Sequence, residues 1–156
     1  MRLPDHTVVA LAGPTGSGKS SLLNALAGVD VAEVAATRPT TSEALALVRG
    51  EGAGPLLDWL GVRRRHHLAE APEGAEASGG LVVLDLPDHD SVATDHRLEA
   101  ERLVALVDLM VWVVDPQKYA DATVHEQYLR GLAGHRDVLL IVLNQVDRLS
   151  PGERQA

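Results

Sequence analysis

The sequence predicts an α/β fold in which helices cover both faces of a mostly parallel central sheet. Short apolar runs recur along the chain, and a glycine or a polar residue follows each of them closely. These runs are continuous rather than alternating, which is typical of strands buried on both faces. Stretches with apolar residues at helical spacing separate the runs, and strands that alternate with helices form parallel sheets of this kind.

The N-terminal third predicts a strand, a helix and a second strand. The first strand covers Thr7–Ala12, an apolar run that leads into a glycine-rich turn. A helix is predicted over Ser20–Ala27, because its leucines recur at helical spacing and Gly28 supplies a stop. Residues 29–42 are loop-like, and the apolar stretch within Glu43–Arg49 predicts the second strand.

The rest of the chain repeats the alternation of strand and helix. Three apolar runs predict strands over Leu81–Leu84, Leu109–Val114 and Val138–Leu143. Helical spacing predicts helices over Arg97–Val107 and Thr123–Ala133. We expect the strand at 138–143 to be buried on both sides, because all six of its residues are apolar. Residues 50–80 show no clear pattern, and their Gly/Ala/Glu-rich part at 70–80 predicts a loop.

Length and composition exclude several classes of protein. The chain has 156 residues, 14 of them basic and 22 acidic, with a net charge of −8, and we assign residues 1–156 to one domain. It has no cysteine, which excludes a disulfide scaffold, a thiolate zinc site and a Cys nucleophile. No apolar run is long enough to span a membrane, and Asp5 and His6 interrupt the N-terminus, so we expect a cytoplasmic location. An acidic chain is also a poor generic nucleic-acid binder.

The strongest feature is a glycine-rich segment between the first strand and the first helix, which matches the phosphate-binding pattern G-x-x-x-x-G-K-S. Glycines let N–H groups turn inward around an anion, and the following helix adds the positive end of its dipole. Lys19, one of only two lysines in the chain, brings a positive charge to the β- and γ-phosphates, and the Ser20 hydroxyl can ligate Mg²⁺. The predicted nucleoside triphosphate site comprises Gly13, Pro14, Thr15, Gly16, Ser17, Gly18, Lys19 and Ser20.

Asp85 directly follows the apolar run at 81–84. In P-loop proteins a carboxylate at this point binds Mg²⁺, directly or through water. An ATPase motor usually has a second acidic residue directly after the first, where this chain has Leu86. The sequence therefore predicts Asp85 as a metal ligand and disfavours an ATPase motor.

A second polar segment, Asn144-Gln145-Val146-Asp147, follows the last apolar run. The order of phosphate loop, Thr-containing loop, strand-end Asp85 and Asn-x-x-Asp resembles the TRAFAC class of P-loop GTPases, which includes Ras, Era, TrmE and dynamin-like proteins. The resemblance implies a three-layer G domain with a mostly parallel sheet, in which the second strand is antiparallel. It also implies GTP and GDP as ligands and Mg²⁺ as cofactor.

The resemblance assigns the base-reading residues. The carboxylate of Asp147 would accept two hydrogen bonds from guanine, and adenine lacks that pair of donors. Asn144 would tie this segment to the phosphate loop, and Ser21 would join the nucleotide-binding residues. Gln145 stands where the family usually has lysine, and its shorter stem covers less of the base. We therefore expect guanine selectivity with weaker affinity.

The same resemblance implies two switch loops. Thr41 would ligate Mg²⁺ and sense the γ-phosphate, with Thr40 as the alternative. Asp88 replaces the family's switch glycine, which adds negative charge near an anion and restricts the backbone. His89 would orient the attacking water. The alternative interpretation is that this histidine and the two threonines are solvated residues of surface loops. The implied catalytic residues are Lys19, Thr41 and His89.

The function that the resemblance implies is Mg²⁺-dependent hydrolysis of GTP to GDP as a conformational switch, in ribosome or RNA assembly. Three alternatives stay open: a dynamin-like GTPase peripheral to membranes, a module whose hydrolysis is lost through Asp88, and, disfavoured, a P-loop ATPase. RNA, ribosome or membrane contacts are expected through regions outside this chain, and a homodimer is open. The chain ends before the family's last guanine-binding box, so we expect the final strand and helix to be missing. Without that outer strand, the strand at 138–143 would have an unpaired apolar edge.

Two features between residues 50 and 80 have no assigned role. The basic run Arg63–His67 predicts either contacts to RNA phosphates or acidic lipid, or a solvated strand or loop. Trp59 is either a core residue or an exposed anchor for a partner.

Overall fold

A computed structural model describes residues 6–14, 16–31, 43–68, 79–87, 102–116, 138–149 and 152. The described strands are β1 (His6–Ala12), β2 (Leu45–Arg49), β3 (Arg64–His67), β4 (Gly80–Asp85), β5 (Leu109–Val114) and β6 (Leu139–Leu143). The helices with given bounds are α1 (Lys19–Ala27), α2 (Gly54–Leu60) and a 3-10 helix at Val146–Arg148. None of the helices in these ranges has the length and apolar character that a bilayer span requires.

The strands form one six-stranded sheet in the order β3-β2-β4-β1-β5-β6. Strand β1 is central and pairs in parallel with both β4 and β5, and β5 pairs in parallel with β6. Strand β2 runs antiparallel to β4 and parallel to β3, so these two strands run against the other four. The prediction of a mostly parallel sheet in which the second strand is antiparallel is therefore confirmed.

Two apolar clusters cover the two faces of the sheet. Leu23 of α1 packs on one face against residues that include Leu47 and Val113. Leu57 and Leu60 of α2 pack on the other face in a cluster that contains Trp112. Helices thus cover both faces, as predicted, because each helix buries one apolar side.

Most predicted elements agree with the structure to within two residues. Helix α1 is capped by Gly28, which has a φ of 71° and donates its N–H to the carbonyl of Asn24. This left-handed cap explains why a glycine stops the helix here. Within the predicted helix 97–107, the described residues 102–104 are helical. The predicted helix 123–133 and residues 70–78 lie outside the described residues.

Residues 50–68 form a unit that the sequence pattern did not predict. Helix α2 has only seven residues and starts at Gly54-Pro55, and β3 has four residues, all of them basic or histidine. Neither element is long enough or apolar enough to show a period. Together they carry the chain from β2 to a parallel neighbour and add a strand at the outer edge of the sheet.

The prediction that the last apolar run is buried on both sides is wrong. Leu140, Ile141 and Leu143 are 50%, 46% and 40% exposed. The cause is position, since β6 lies at the edge of the sheet and its outer side has no neighbouring strand among the described residues. The two tryptophans differ in the same way: Trp112 in β5 is a core residue at 2% exposure, whereas Trp59 on α2 is 64% exposed.

Candidate nucleotide-binding site

The glycine-rich segment turns sharply between β1 and α1, at the carboxyl end of the central strand. Gly13 has a φ of +144°, and a Cβ atom there would lie 2.2 Å from the carbonyl oxygen of Val113 in β5. Gly18 has a φ of +94°, and its Cβ would lie 2.2 Å from Nδ2 of Asn144. Both positions therefore require glycine for space as well as for conformation.

The first turn of α1 offers backbone donors. Gly18 caps the helix in a left-handed conformation, and its end has no side-chain cap among the described residues. The first N–H groups of a helix have no partner within the helix, and the helix dipole makes this end positive. The turn is thus shaped to surround an anion with amides.

Lys19 is the first residue of α1 and is only 5% exposed. Its Nζ donates to the carbonyl oxygen of Gly13 at 2.8 Å and to that of Pro14 at 3.2 Å. A buried ammonium group needs such acceptors, because burial without them is strongly unfavourable. The contacts hold the charge against the loop, where a phosphate group would meet it.

Ser20 and Asp85 bring two oxygen donors together from different parts of the chain. The Ser20 hydroxyl donates to Oδ2 of Asp85 at 3.3 Å, although 65 residues separate them in the chain. Asp85 is the last residue of β4, and β4 pairs with β1 directly beside the loop. A hydroxyl and a carboxylate are the hard oxygen ligands that Mg²⁺ prefers, and Mg²⁺ takes few protein ligands when phosphates supply others. The donor set therefore fits this ion.

Two side-chain amides fasten the end of β6 to the glycine-rich loop. Asn144 donates through Nδ2 to the carbonyl oxygen of Ser17 at 3.0 Å. Gln145 donates through Nε2 to the carbonyl oxygen of Gly16 at 2.9 Å. Gln145 reaches the loop from a left-handed backbone conformation with a φ of 58°, which is rare for a residue other than glycine. The link between Asn144 and the phosphate loop that the resemblance implied is present.

Asp147 lies in the 3-10 helix that follows and is exposed. Ser21 is also exposed and lines an open groove along α1 together with Asn24, Gly28 and Val29. These positions leave both side chains accessible, and their contacts to a nucleotide stay a prediction. The predicted residues Thr15, Thr40, Thr41, Asp88 and His89 lie outside the described residues.

Sequence reasoning missed two details of the loop. The hydroxyl of Ser17 is fully buried and has no hydrogen-bond partner among the described residues. Gln145 was expected only to cover less of the base than a lysine does, and its Nε2 in addition donates to the loop carbonyl of Gly16. The sequence has no pattern that shows which side chain will reach the carbonyl of Gly16. Only the fold reveals that Gln145 does so.

Comparison with known proteins gives one family and several relatives. The profile of a family described as 50S ribosome-binding GTPases matches residues 8–145. The tRNA modification GTPase MnmE of Rhizorhabdus wittichii is 27% identical over 99% of this chain and 34% of its own length. GTPase Der of Thermosynechococcus vestitus is 45% identical over 42% of this chain and 15% of its own length. The chain thus spans about a third or less of these relatives.

Solved structures support the same fold. Era in complex with MgGDPNP and nucleotides 1506–1542 of 16S ribosomal RNA matches with a TM-score of 0.59 and 17% identity, over 97% of this chain and 44% of Era. A point variant of Era from Aquifex aeolicus bound to GDP.AlF4- matches with a TM-score of 0.61 and 18% identity, over 96% of this chain and 44% of that one. An oligomerised bacterial dynamin pair matches with a TM-score of 0.53 and 18% identity, over 96% of this chain and 28% of that one. At these identities the likeness concerns the fold.

Proposed function

This chain belongs to the 50S ribosome-binding GTPase family and is a GTP-binding GTPase domain of the Era, MnmE and Der type, and on that premise we propose that it is an Mg²⁺-dependent switch that hydrolyses GTP to GDP. The observation that supports the proposal best is the convergence of two distant segments on one loop. The loop at 13–20 is contacted by the end of β4 through Asp85 and by the end of β6 through Asn144 and Gln145.

In the proposed reaction, the loop amides and Lys19 bind the β- and γ-phosphates. Lys19 is already held at the loop by the carbonyls of Gly13 and Pro14, so little reorganisation is needed when phosphate replaces them. Fixed donors of this kind stabilise the charge that spreads over the transferred phosphoryl group in the transition state. Catalysis is thus mainly electrostatic, with His89 proposed to orient the attacking water.

Ser20 and Asp85 would hold the magnesium ion, and Thr41 would complete the set when GTP is bound. Mg²⁺ supplies a positive charge that neutralises the phosphate oxygens. The chain's own part is to present two oxygen donors beside the loop, at 3.3 Å from each other. Contact of Thr41 and of the loop after Asp85 with the γ-phosphate would couple hydrolysis to conformation.

Asp147 is proposed to select guanine. Its carboxylate accepts hydrogen bonds from the ring N–H and the exocyclic amine of guanine, whereas adenine offers no such pair. The 3-10 helix that carries Asp147 starts directly after the two amides that bind the loop. The proposed base-reading residue therefore lies just after the segment that is bonded to the phosphate loop.

Calorimetric titration with GTP, GDP, ATP and XTP in the presence of magnesium tests the proposal. We expect binding of GTP and GDP, and at least about 100-fold weaker binding of ATP and XTP. Lys19→Ala should abolish GTP binding, while Lys118→Ala, which removes the same charge at the only other lysine, should bind normally. Equal affinity for the four nucleotides, or normal binding by Lys19→Ala, would refute the site.

A second candidate, a nucleotide-binding module without hydrolysis, is favoured by Asp88. This residue stands where the family has a glycine whose N–H approaches the γ-phosphate, and its carboxylate would repel that anion. Phosphate release should be compared in the unchanged chain and in Asp88→Gly. If only Asp88→Gly turns over GTP, the module is the correct description; comparable turnover in both supports the GTPase.

We propose a cytoplasmic role in ribosome or RNA assembly for the protein that contains this domain. The description of the family and the RNA complex of Era support it. Co-sedimentation with ribosomal subunits should be stronger with a non-hydrolysable GTP analogue than with GDP. Co-sedimentation with anionic vesicles instead would favour the dynamin-like alternative, in which the protein is peripheral at a membrane and self-associates.

A further inference from the structure

The unit formed by α2 and β3 has no role in the proposed nucleotide site. It covers the outer side of β2 and leaves β3 as the edge of the sheet. Residues 63–67 of this unit are Arg-Arg-Arg-His-His, the densest basic run in a chain whose net charge is −8. A positive edge on an acidic domain creates a local field that attracts anions.

The basic side chains of β3 lie on both sides of the sheet. Arg64 and His66 pair with Leu45 and Leu47, which belong to one apolar cluster. Arg65 and His67 pair with Ala46 and Val48, which belong to the other. Because side chains in register share a face, the four residues form a ridge around the edge rather than a flat patch.

One arginine of the basic run at 63–67 is structural and two are available. Arg65 donates to the carbonyl of Val62 at 2.8 Å and forms an ion pair with Asp58 of α2 at 2.6 Å, which fixes the turn between α2 and β3. Among the residues that the structure describes, Arg63 and Arg64 form no ion pair with an acid. Arg63 is exposed and Arg64 is half-buried.

An exposed aromatic side chain belongs to the same unit. Trp59 is one residue away from Asp58, the partner of Arg65, and it is 64% exposed. Its neighbours Leu57 and Leu60 are fully buried, so α2 has a well-packed core side and Trp59 does not belong to it. An indole this exposed is open to contact with a ligand.

We propose that Trp59, Arg63 and Arg64 form a binding surface for single-stranded nucleic acid. Guanidinium groups bind phosphate through paired donors, and an exposed indole stacks on a base. A strand of nucleic acid can follow a narrow ridge, whereas a bilayer needs a flat face with its charges on one side. A second copy of this edge is disfavoured by like charge.

A strand peptide is the less suitable partner. Leu68 donates its N–H to the carbonyl oxygen of Val48 in β2 at 2.8 Å. Backbone groups of successive residues in a strand point to opposite sides, so within β3 only Arg65 and His67 direct theirs away from β2. Two residues give little backbone pairing, and a short charged edge strand is a common device against such pairing. That protective role alone does not require an exposed tryptophan.

The test uses a fluorescein-labelled, single-stranded RNA of about 12 nucleotides and the whole chain without nucleotide, followed by fluorescence anisotropy at about 50 to 200 mM salt. Replacing Arg63 and Arg64 by Gln should weaken binding about 10-fold and reduce the slope of log affinity against log salt by about 0.7 for each lost contact. The control is Leu26→Glu with Gly152→Glu, which lowers the net charge equally at exposed sites elsewhere. This control should keep the slope.

Tryptophan emission gives an independent readout, because the chain has only Trp59 and the buried Trp112. RNA should quench the emission of Trp59. Trp59→Ala should weaken binding about 5- to 100-fold, and Trp59→Phe should keep most of the affinity but lose the quenching. Single-stranded DNA of the same sequence shows whether the ribose contributes.

No binding, binding without quenching, or an unchanged affinity in Trp59→Ala would overturn the proposal. Preferential binding of vesicles with anionic lipid, or of an oligo-glutamate peptide, would do so as well. Because the assay contains no GTP, its failure leaves the proposed GTPase site intact. Calorimetry with GTP on the same samples shows that each variant is folded.

Discussion

The side-chain amide of Asn144 donates to the backbone carbonyl of Ser17 at 3.0 Å and thereby joins residues that are 127 positions apart. Gly18 has no room for a Cβ because this amide lies against it. The conformation of the phosphate loop thus depends on a side chain at the end of β6.

Removing the amide should loosen the loop. Asn144→Ala loses one hydrogen bond to the loop, and we expect GTP affinity to fall roughly 10-fold with a loss of about 1 kcal/mol in the free energy of unfolding. Asn144→Asp should be worse, since a carboxylate would face the carbonyl of Ser17. Calorimetry and urea denaturation check both variants; equal affinity in Asn144→Asp and the unchanged chain would show that the link is dispensable.

The loop glycines allow a matched pair of substitutions. Gly13→Ala should destabilise the fold by about 3 kcal/mol, because its Cβ would lie 2.2 Å from the carbonyl of Val113. Gly16 also has a positive φ of 78°, but a Cβ there meets no atom within 4 Å. Gly16→Ala should therefore cost only about 1 to 2 kcal/mol, from backbone strain alone. Denaturation midpoints distinguish the two, and similar losses would contradict the close approach to Val113.

Base selectivity should follow one carboxylate. Asp147→Asn replaces an acceptor by an amide donor, so the variant should lose GTP affinity by about 100-fold or more. It should gain affinity for XTP, whose base has a carbonyl where guanine has an amine. Competition between the two nucleotides measures the change. If GTP affinity stays the same in Asp147→Asn, the assignment of the base site is wrong.

The neutral side chain at position 145 should limit affinity. Gln145→Lys adds a positive charge beside the loop and a longer apolar stem, and we expect GTP binding to strengthen about 5-fold. Gln145→Ala should weaken it, because the bond from Nε2 to Gly16 is lost. The two variants share the strain of a residue with a φ of 58°, so their difference reports on the side chain. Weaker binding in Gln145→Lys than in Gln145→Ala would reverse this conclusion.

The exposed face of β6 should promote self-association. Leu140 is 50% exposed on an edge strand, and charged residues on such strands discourage pairing with other chains. Leu140→Lys should reduce light scattering on heating and change the free energy of unfolding by less than about 0.5 kcal/mol. Leu47→Lys, at a fully buried position on the same sheet, serves as the contrast and should unfold the domain.

The parts of the fold that the sequence predicted are those with a strong local pattern. Strand β5 shows a continuous apolar run and agrees with its predicted bounds, 109–114. The glycine-rich loop was found because its spacing is dictated by phosphate chemistry. In contrast, α2 and β3 are too short to show a period. The apolar run of β6 does not by itself reveal that this strand lies at an edge of the described sheet, because edge position is a property of the sheet.

The same distinction applies to the site. Lys19, Ser20 and Asp85 were predicted from their types and positions, and the structure brings them around one loop. The contact from Gln145 to Gly16 could not be predicted, because it depends on a left-handed backbone conformation at a residue that rarely adopts it. Roles for Thr41 and His89 stay predictions, since both lie outside the described residues.

The ties from residues 144 and 145 to the loop also bear on protein synthesis. A chain emerging from a ribosome exposes residues 16 and 17 long before it exposes the two amides that hold them. The nascent N-terminal half therefore lacks a finished cradle for phosphate, and nucleotide can stabilise the domain only after β6 has been translated. Arrested chains that end before residue 144 should accordingly gain no protease resistance from GTP.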